Sequence, residues 1–210
     1  MQGKYVIDVV LLAAGLSKRM GKTNKMLLRI NGMSMCAHCA MQAIDYLESL
    51  PHGGNLVIVT GYRHRELVKS LTPCTNRVAK TEKAVNLIIV KNPDYRKGQF
   101  SSTKVGVFNV RKGARFFISL ADMPYTTSDN YRILSELLKD NDAVRPFVNG
   151  QPGHPVLHSP SLKQRILDMP DNSSVHKLLS SCKTFNVPCD NPSWIRDMDS
   201  PEDLAQLSLR

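Results

Sequence analysis

The chain has 210 residues, of which 42% are hydrophobic and 22% charged, as is typical of one globular domain with a complete core. No apolar run reaches the roughly 18 residues that a membrane span requires, and the N-terminus lacks a signal-peptide layout. The formal charge of +10 would suit nucleic acid, but the basic residues are dispersed and aromatic residues make up only 6%. We therefore expect one domain over residues 1–210, without a membrane or nucleic-acid partner.

Apolar strand-like runs alternate with helical patterns along the chain. The predicted strands are 6–12, 55–60, 84–90 and 114–120, and the predicted helices are 33–50, 62–71, 101–110 and 128–139. The last of these strands is apolar throughout, as a central parallel strand should be. The alternation predicts an α/β fold with a doubly wound, mostly parallel Rossmann-like sheet and helices on both faces.

Two segments are less regular. Residues 101–110 contain several β-branched residues that favour a strand, but two serines after Gly98 make a good helix start, and we predict a helix. From about Asp142 the pattern is shorter and richer in proline. It predicts a subregion over the sheet rather than a separate domain.

The most informative segment follows the first predicted strand. It reads Leu11-Leu12-Ala13-Ala14-Gly15-Leu16-Ser17-Lys18-Arg19-Met20-Gly21, with Lys25 four residues further on. Small residues at 13–15 let the main chain approach a ligand and leave its N–H groups pointing outward. The cations in the same turn suit a polyphosphate. Because neither Gly-x-Gly-x-x-Gly nor the Gly-Lys-Ser/Thr context of a P-loop is present, we predict a phosphate-binding loop of another kind.

A cysteine pair, Cys36 and Cys39, lies in the helix predicted after this loop. Such a Cys-x-x-Cys can be a redox pair or half of a zinc site, but no second pair follows. The spacing places both thiols on one helical face, and we interpret them as small buried packing residues. The five cysteines in all, an odd number without framework spacing, favour reduced thiols and a cytoplasmic location.

The fourth predicted strand ends in Leu120-Ala121-Asp122-Met123-Pro124. A carboxylate at the C-terminal end of a central parallel strand faces the ligand crevice, where it can hold Mg²⁺, which takes oxygen ligands. The alternative is an aspartate that caps a helix or a turn. We expect a ligand at the turns after the first and fourth strands.

Five ordered blocks between Val6 and Leu204 carry a family resemblance. They are Leu-Ala-Ala-Gly-x-Ser-x-Arg-Met-Gly with its later lysine, Asn-Pro with Ser-Ser at 92–103, Asp-Met-Pro at 122–124, Gly-His-Pro-Val at 153–156, and Asp-Met-Asp-Ser-Pro-Glu-Asp-Leu at 197–204. Together they resemble the molybdenum-cofactor nucleotidyltransferase family, and most of all its cytidylyl-transferring branch. The Leu-Ala-Ala-Gly form goes with cytidylyl rather than guanylyl transfer.

The resemblance implies transfer of CMP from CTP to molybdopterin, with release of pyrophosphate and Mg²⁺ as the cofactor. It gives catalytic roles to Arg19, Lys25 and Asp122, and metal binding to Asp122 and Asp199. His154 is implied near the second substrate, and a molybdenum hydroxylase is the candidate acceptor of the finished cofactor. The implied nucleotide contacts are Leu12, Ala13, Ala14, Gly15, Ser17, Gly21, Gly98, Ser101 and Ser102.

The chain departs from the family pattern at three places. Gln99 and Phe100 replace the usual Met-Ser, Asn24 stands where relatives carry a proline or an acid, and 171–176 lacks the usual glycine turn and arginine. Two alternatives stay open. One is a cytidylyl- or uridylyltransferase for a sugar or polyol phosphate, and the other is a non-catalytic carrier of nucleotide or pterin, favoured by the lost arginine.

Overall fold

The structure is a computed structural model that describes residues 5–17 and 24–198. The strands in these residues are β1 (Ile7–Ala13), β2 (Arg29–Ile30), β3 (Met33–Ser34), β4 (Gly54–Thr60), β5 (Val85–Lys91), β6 (Arg115–Leu120), β7 (Ala143–Val148), β8 (Gln151–Pro152), β9 (Val156–His158) and β10 (Thr184–Pro188). The α-helices are α1 (Met35–Ser49), α2 (His64–Ser70), α3 (Thr72–Lys80), α4 (Gln99–Phe108), α5 (Ser128–Leu137), α6 (Leu162–Asp168) and α7 (Val175–Leu179). None of these helices is long and apolar enough to cross a membrane.

Eight of these strands form one sheet in the order β10-β7-β9-β6-β1-β4-β5, with β8 paired to β7. β1 is parallel to both β4 and β6, and β5 is parallel to β4. β9 is antiparallel to β6 and β7, and β10 is parallel to β7. The predicted mostly parallel sheet is confirmed, with β9 and the two-residue β8 as its antiparallel members among the described residues.

Helices cover both faces of the sheet. Successive side chains of a strand point to opposite faces, and in β1 the apolar side chains of both faces are packed against helices. Val9 and Leu11 of β1 pack into a cluster with α1, α2, α3 and α5. Val10 and Leu12 pack into a second cluster with α4, α6 and α7. All seven residues of β1 and of β4 are buried, which explains why their sequences read as continuous apolar runs.

The predicted elements of the first 140 residues are confirmed, with shifted ends. The first helix begins at Met35 because Ser34 belongs to a short hairpin and also accepts a hydrogen bond from Ala37 N–H as the N-cap. The helix predicted at 62–71 is followed at once by α3, whose Pro73 lies in the first turn, where its missing N–H is tolerated.

The prediction that the chain after Asp142 forms a subregion over the sheet is wrong for its strands, although α6 and α7 do pack on one face of the sheet. β7, β9 and β10 do not lie over the sheet but extend it beyond β6. Their pattern is weak because β9 has three residues, β7 contains Pro146, and β10 is an edge strand that is partly exposed.

Candidate active site

A cavity of about 620 Å³ opens at the carboxyl ends of β1 and β6. Its walls are the turn after β1, the 3-10 helix Lys25–Leu27, the segment before α4 and the end of β6. This is the crevice at which parallel α/β sheets bind ligands. The predicted site residues that line it are Leu12, Ala14, Gly15, Ser17, Lys25, Gly98, Ser102 and Asp122.

Lys25 and Asp122 form an ion pair within this cavity. Lys25 Nζ lies 2.6 Å from Asp122 Oδ2, and the two side chains are 11% and 19% exposed. Lys25 begins the 3-10 helix that Asn24 caps, whereas Asp122 lies in the turn after β6. The fold therefore joins an ammonium group from the first loop to a carboxylate from a strand about 100 residues away in the chain.

The two described ends of the first loop are joined through side chains. Ser17 has φ 52, and its hydroxyl donates to Asn24 Oδ1 at 3.3 Å and accepts from Lys25 N–H at 3.0 Å. The Asn24 amide also accepts from Met26 N–H and donates to the Tyr62 carbonyl. This buried amide explains the departure at position 24, because an aspartate would lack the donor for Tyr62 and a proline would lack both groups.

The segment before α4 forms the opposite wall. Gly98 has φ 116, in the region that favours glycine, and α4 begins at the next residue. Asn92 Nδ2 donates at 2.9 Å to the hydroxyls of Ser101 and Ser102. Ser101 is also within hydrogen-bonding distance of two local carbonyls and does not line the cavity, whereas Ser102 does.

A second cavity, of about 440 Å³, adjoins the first at Gly98 and Gln99. His154 lies in its wall, where its Nδ1–H donates to the Ile118 carbonyl at 3.4 Å. Burial lowers the pKa of His154. The imidazole is therefore neutral at pH 7 and keeps Nε2 as a hydrogen-bond acceptor.

His158, which sequence reasoning missed, also lines the second cavity. Its Nδ1–H donates to the Phe116 carbonyl at 3.4 Å, and its ring stacks on Phe116 at 5.0 Å between centroids. Burial lowers the pKa of His158 to about 4, and Nε2 has no hydrogen-bond partner among the described residues. The pairing of β9 with β6 on one side and β7 on the other brings this histidine here.

The turn at 171–176, where the chain departs from the family pattern, forms the rim of the second cavity. Asp171 pairs with Lys104 of α4 at 2.9 Å, and Ser174 caps α7. The resemblance implies an arginine at the position of His176, and Lys97 and Arg145 line the same cavity. The rim therefore has two permanently cationic residues without that arginine.

A divalent cation fits the chemistry of Asp122. Mg²⁺ is commonly held by one or two carboxylates together with substrate phosphates and water, so a dedicated cage is not required. The described residues contain no group of three or more His, Cys, Asp or Glu that could hold a metal. Met198 N–H donates to the Asp122 carbonyl at 2.8 Å. This hydrogen bond holds Met198, which precedes the predicted ligand Asp199 in the chain, beside Asp122.

The remaining predicted site residues fall into three groups. Ala13 ends β1, is fully buried and does not line the cavity, and its partner across the sheet is Thr60. His154 belongs to the second cavity. Arg19, Gly21 and Asp199 lie outside the described residues. Six residues that line the first cavity were not predicted as site residues. Tyr95, Arg96 and Gln99 belong to the 92–103 block that carried the resemblance, and the other three are the apolar residues Leu16, Met26 and Leu120.

Comparison with known proteins gives a consistent result. The MobA-like NTP transferase domain matches residues 9–187. The molybdenum cofactor cytidylyltransferase of Escherichia coli (strain K12) is 32% identical over 204 residues, which are 97% of this chain and 96% of that protein.

Solved structures show the same fold at lower identity. Rv0371c from Mycobacterium tuberculosis H37Rv has a TM-score of 0.71 at 18% identity and covers 99% of this chain and 100% of its own. Its complex with manganese has a TM-score of 0.65 at 18% identity, covering 96% and 97%. The 4-diphosphocytidyl-2C-methyl-D-erythritol synthase of Anaerococcus prevotii DSM 20548 has a TM-score of 0.71 at 12% identity, covering 98% and 97%.

Proposed function

The chain belongs to the family of MobA-like NTP transferases, and on that premise we propose that it transfers CMP from CTP to molybdopterin and releases pyrophosphate. The family assigned from the sequence motifs is confirmed, and the chain is a nucleotidyltransferase. The E. coli relative, similar along nearly its whole length, carries the activity in its name. We also propose that residues 1–210 act as one catalytic domain, since one sheet runs from β1 to β10.

The observation that carries the proposal is the Lys25–Asp122 pair beside two adjoining cavities. Transfer of a nucleotidyl group requires the α-phosphate of one substrate to meet the phosphate of another. A cavity for each substrate, with a cation and a carboxylate at the first, supplies that arrangement. Such chemistry depends on positioning and charge stabilisation more than on proton removal.

The first cavity is proposed to hold CTP. Main-chain N–H groups of the loop from Leu12 to Ser17 would face the triphosphate, and Gly21 would continue this cradle. Lys25 and Arg19 would neutralise the charge that develops on the departing pyrophosphate. Gly98, Ser101 and Ser102 belong to the segment proposed to meet the base, and of these three Gly98 and Ser102 line the cavity.

Mg²⁺ is the proposed cofactor, with Asp122 and Asp199 as its protein ligands. When bound, it screens the negative charges of the α-phosphate and the acceptor phosphate from each other. The hydrogen bond from Met198 N–H to the Asp122 carbonyl supports the pairing of these two aspartates. Asp122 also keeps the Lys25 ammonium at the edge of the cavity through their ion pair.

The second cavity is proposed to hold molybdopterin. His154 Nε2 would accept a hydrogen bond from an N–H group of the pterin, and the cationic rim would face its phosphate. The junction at Gly98 and Gln99 would admit that phosphate toward Asp122. The finished dinucleotide cofactor would then pass to a molybdenum hydroxylase.

The test is pyrophosphate release with Mg²⁺ and each of CTP, GTP, ATP and UTP, with and without molybdopterin, both molybdenum-loaded and metal-free. We expect release only with CTP and the pterin together. The same assay with a sugar phosphate in place of the pterin tests the other acceptor, and release there but not with the pterin would assign it. Tight CTP binding without release under any condition would favour a carrier.

A further inference from the structure

Helix α1 holds the turn that carries Asp122. The Asp122 turn, residues 121–128, follows the end of β6 and includes Ser128, the first residue of α5. Cys39 Sγ–H donates to the Ala121 carbonyl at 3.4 Å, and His38 Nε2–H donates to the Pro124 carbonyl at 3.2 Å. Gln42 Oε1 accepts from Ser128 N–H at 3.1 Å. The turn is therefore bound to one helix at its beginning, middle and end.

The three side chains share a face because residues three and four apart are neighbours on a helix. Their partners are main-chain groups rather than side chains. Such contacts fix the path of the backbone on both sides of Asp122 without occupying its carboxylate. Met198 N–H bonds the carbonyl of Asp122 itself, at 2.8 Å.

The chemical state of Cys39 suits this role. The side chain is 2% exposed, and burial raises the pKa of the thiol well above its usual range, so Sγ keeps its proton as a donor. Cys36, on the same helix, is equally buried but has no contact of this kind with the Asp122 turn among the described residues. Its neighbour is Cys74 of α3. The Cys-x-x-Cys pair thus has one packing residue and one that reaches the turn.

The first residue of α1 is joined to the segment that follows the first loop. Met35 N–H donates to the Leu28 carbonyl at 2.7 Å, directly after the 3-10 helix that begins with Lys25. Met26 of that 3-10 helix is buried in the same apolar cluster as Cys39 and Ala121. One rigid element therefore contacts both chain segments that supply the Lys25–Asp122 pair.

We propose that His38 and Cys39 are positioning residues that set the Asp122 carboxylate for a divalent cation and the phosphates of the nucleotide. The inference rests on the proposed function only in assigning Asp122 to the metal. Outer partners that orient metal ligands commonly contribute about 10- to 100-fold to metal affinity or activity. A loss within this range is expected when either contact is removed.

The experiment compares His38→Ala and Cys39→Ala with Cys36→Ala, the matched control from the same helix. Mn²⁺ affinity in the presence of CTP is measured by the EPR signal of free Mn²⁺, which requires no turnover and no acceptor. Thermal midpoints and kcat/KM for CTP are measured alongside it. Cys39→Ser and His38→Gln restore a donor at each position.

We expect His38→Ala and Cys39→Ala to weaken Mn²⁺ binding by about tenfold or more, with Cys36→Ala within about twofold of the native protein. Cys39→Ser and His38→Gln should recover most of the loss. The inference would be overturned if Cys39→Ala and Cys36→Ala weakened Mn²⁺ binding equally, in proportion to the loss in their thermal midpoints. Native protein that binds no Mn²⁺ with CTP would overturn it as well. Native protein that binds Mn²⁺ and CTP but transfers nothing to the pterin would contradict the proposed function alone.

Discussion

The two cavities are built from different kinds of group. The first is formed largely by residues of the loop after β1 and a second block before α4, with Asp122 added from the turn after β6. The second gathers side chains from α4, β9 and the turn before α7, which are far apart in the chain. A loop that binds phosphates through its main chain needs small residues in fixed order, and that order is visible in the sequence. A pocket made by dispersed side chains leaves no such pattern.

The largest effect should come from the charged pair in the first cavity. Asp122→Asn keeps the shape of the side chain but removes its charge, and pyrophosphate release should fall about a thousand-fold. Asp140→Asn, an exposed aspartate at the opposite end of the sheet, serves as the control. Full activity of Asp122→Asn would remove this residue from the site and leave the first cavity defined by its loop alone.

The buried histidine of the second cavity should make stability depend on pH. The pKa of His158 is lowered to about 4 in the folded protein, against 6.5 for the free side chain. Below pH 6.5 His158 binds a proton in the unfolded chain but stays neutral in the folded protein. The free energy of unfolding therefore falls as the pH drops toward 4. The loss from this group reaches about 3 kcal/mol.

Urea unfolding of the native protein and of His158→Asn between pH 7.5 and pH 4 measures how much His158 contributes to the pH dependence of the free energy of unfolding. Asparagine lacks the titrating ring, so the curve for the variant should be flatter by about the stated amount. Parallel curves for the two proteins would show that His158 does not resist protonation in the folded state.

A substitution in the second cavity should change the KM for one substrate and not the other. His154→Ala removes one hydrogen-bond acceptor from the second cavity, and we expect the KM for the pterin to rise about tenfold while the KM for CTP stays within about twofold. Steady-state kinetics with each substrate varied in turn provide the measurement. A rise in the KM for CTP instead would place His154 at the nucleotide.

The smallest effect should come from the rim. His176→Arg adds a permanent charge at the position where the resemblance implies one, and the KM for the phosphate-bearing acceptor should fall about threefold, less so at high salt. His52→Arg adds the same charge at an exposed position on the far side of the molecule and should change nothing. Equal responses of the two variants would indicate a general charge effect and no acceptor contact at the rim.

The sequence predicted the parallel half of the fold because β1, β4 and β6 are buried on both faces and read as apolar runs. It predicted where the first cavity lies for a related reason, since the small, hydroxyl and basic residues that line much of it follow one another in one loop. The strands after Asp142 escaped prediction because a three-residue strand and an edge strand have too little apolar pattern.

The order of residues in the sequence by itself predicted the loop that lines the first cavity, the carboxylate that follows a central strand, and the family. Only the tertiary structure decided that Lys25 pairs with Asp122, that His158 enters the second cavity, and that Cys39 differs from Cys36. Each of these depends on contacts between segments distant in the chain. Such contacts are fixed by the pairing of strands and the packing of helices, and no local spacing of residues encodes them.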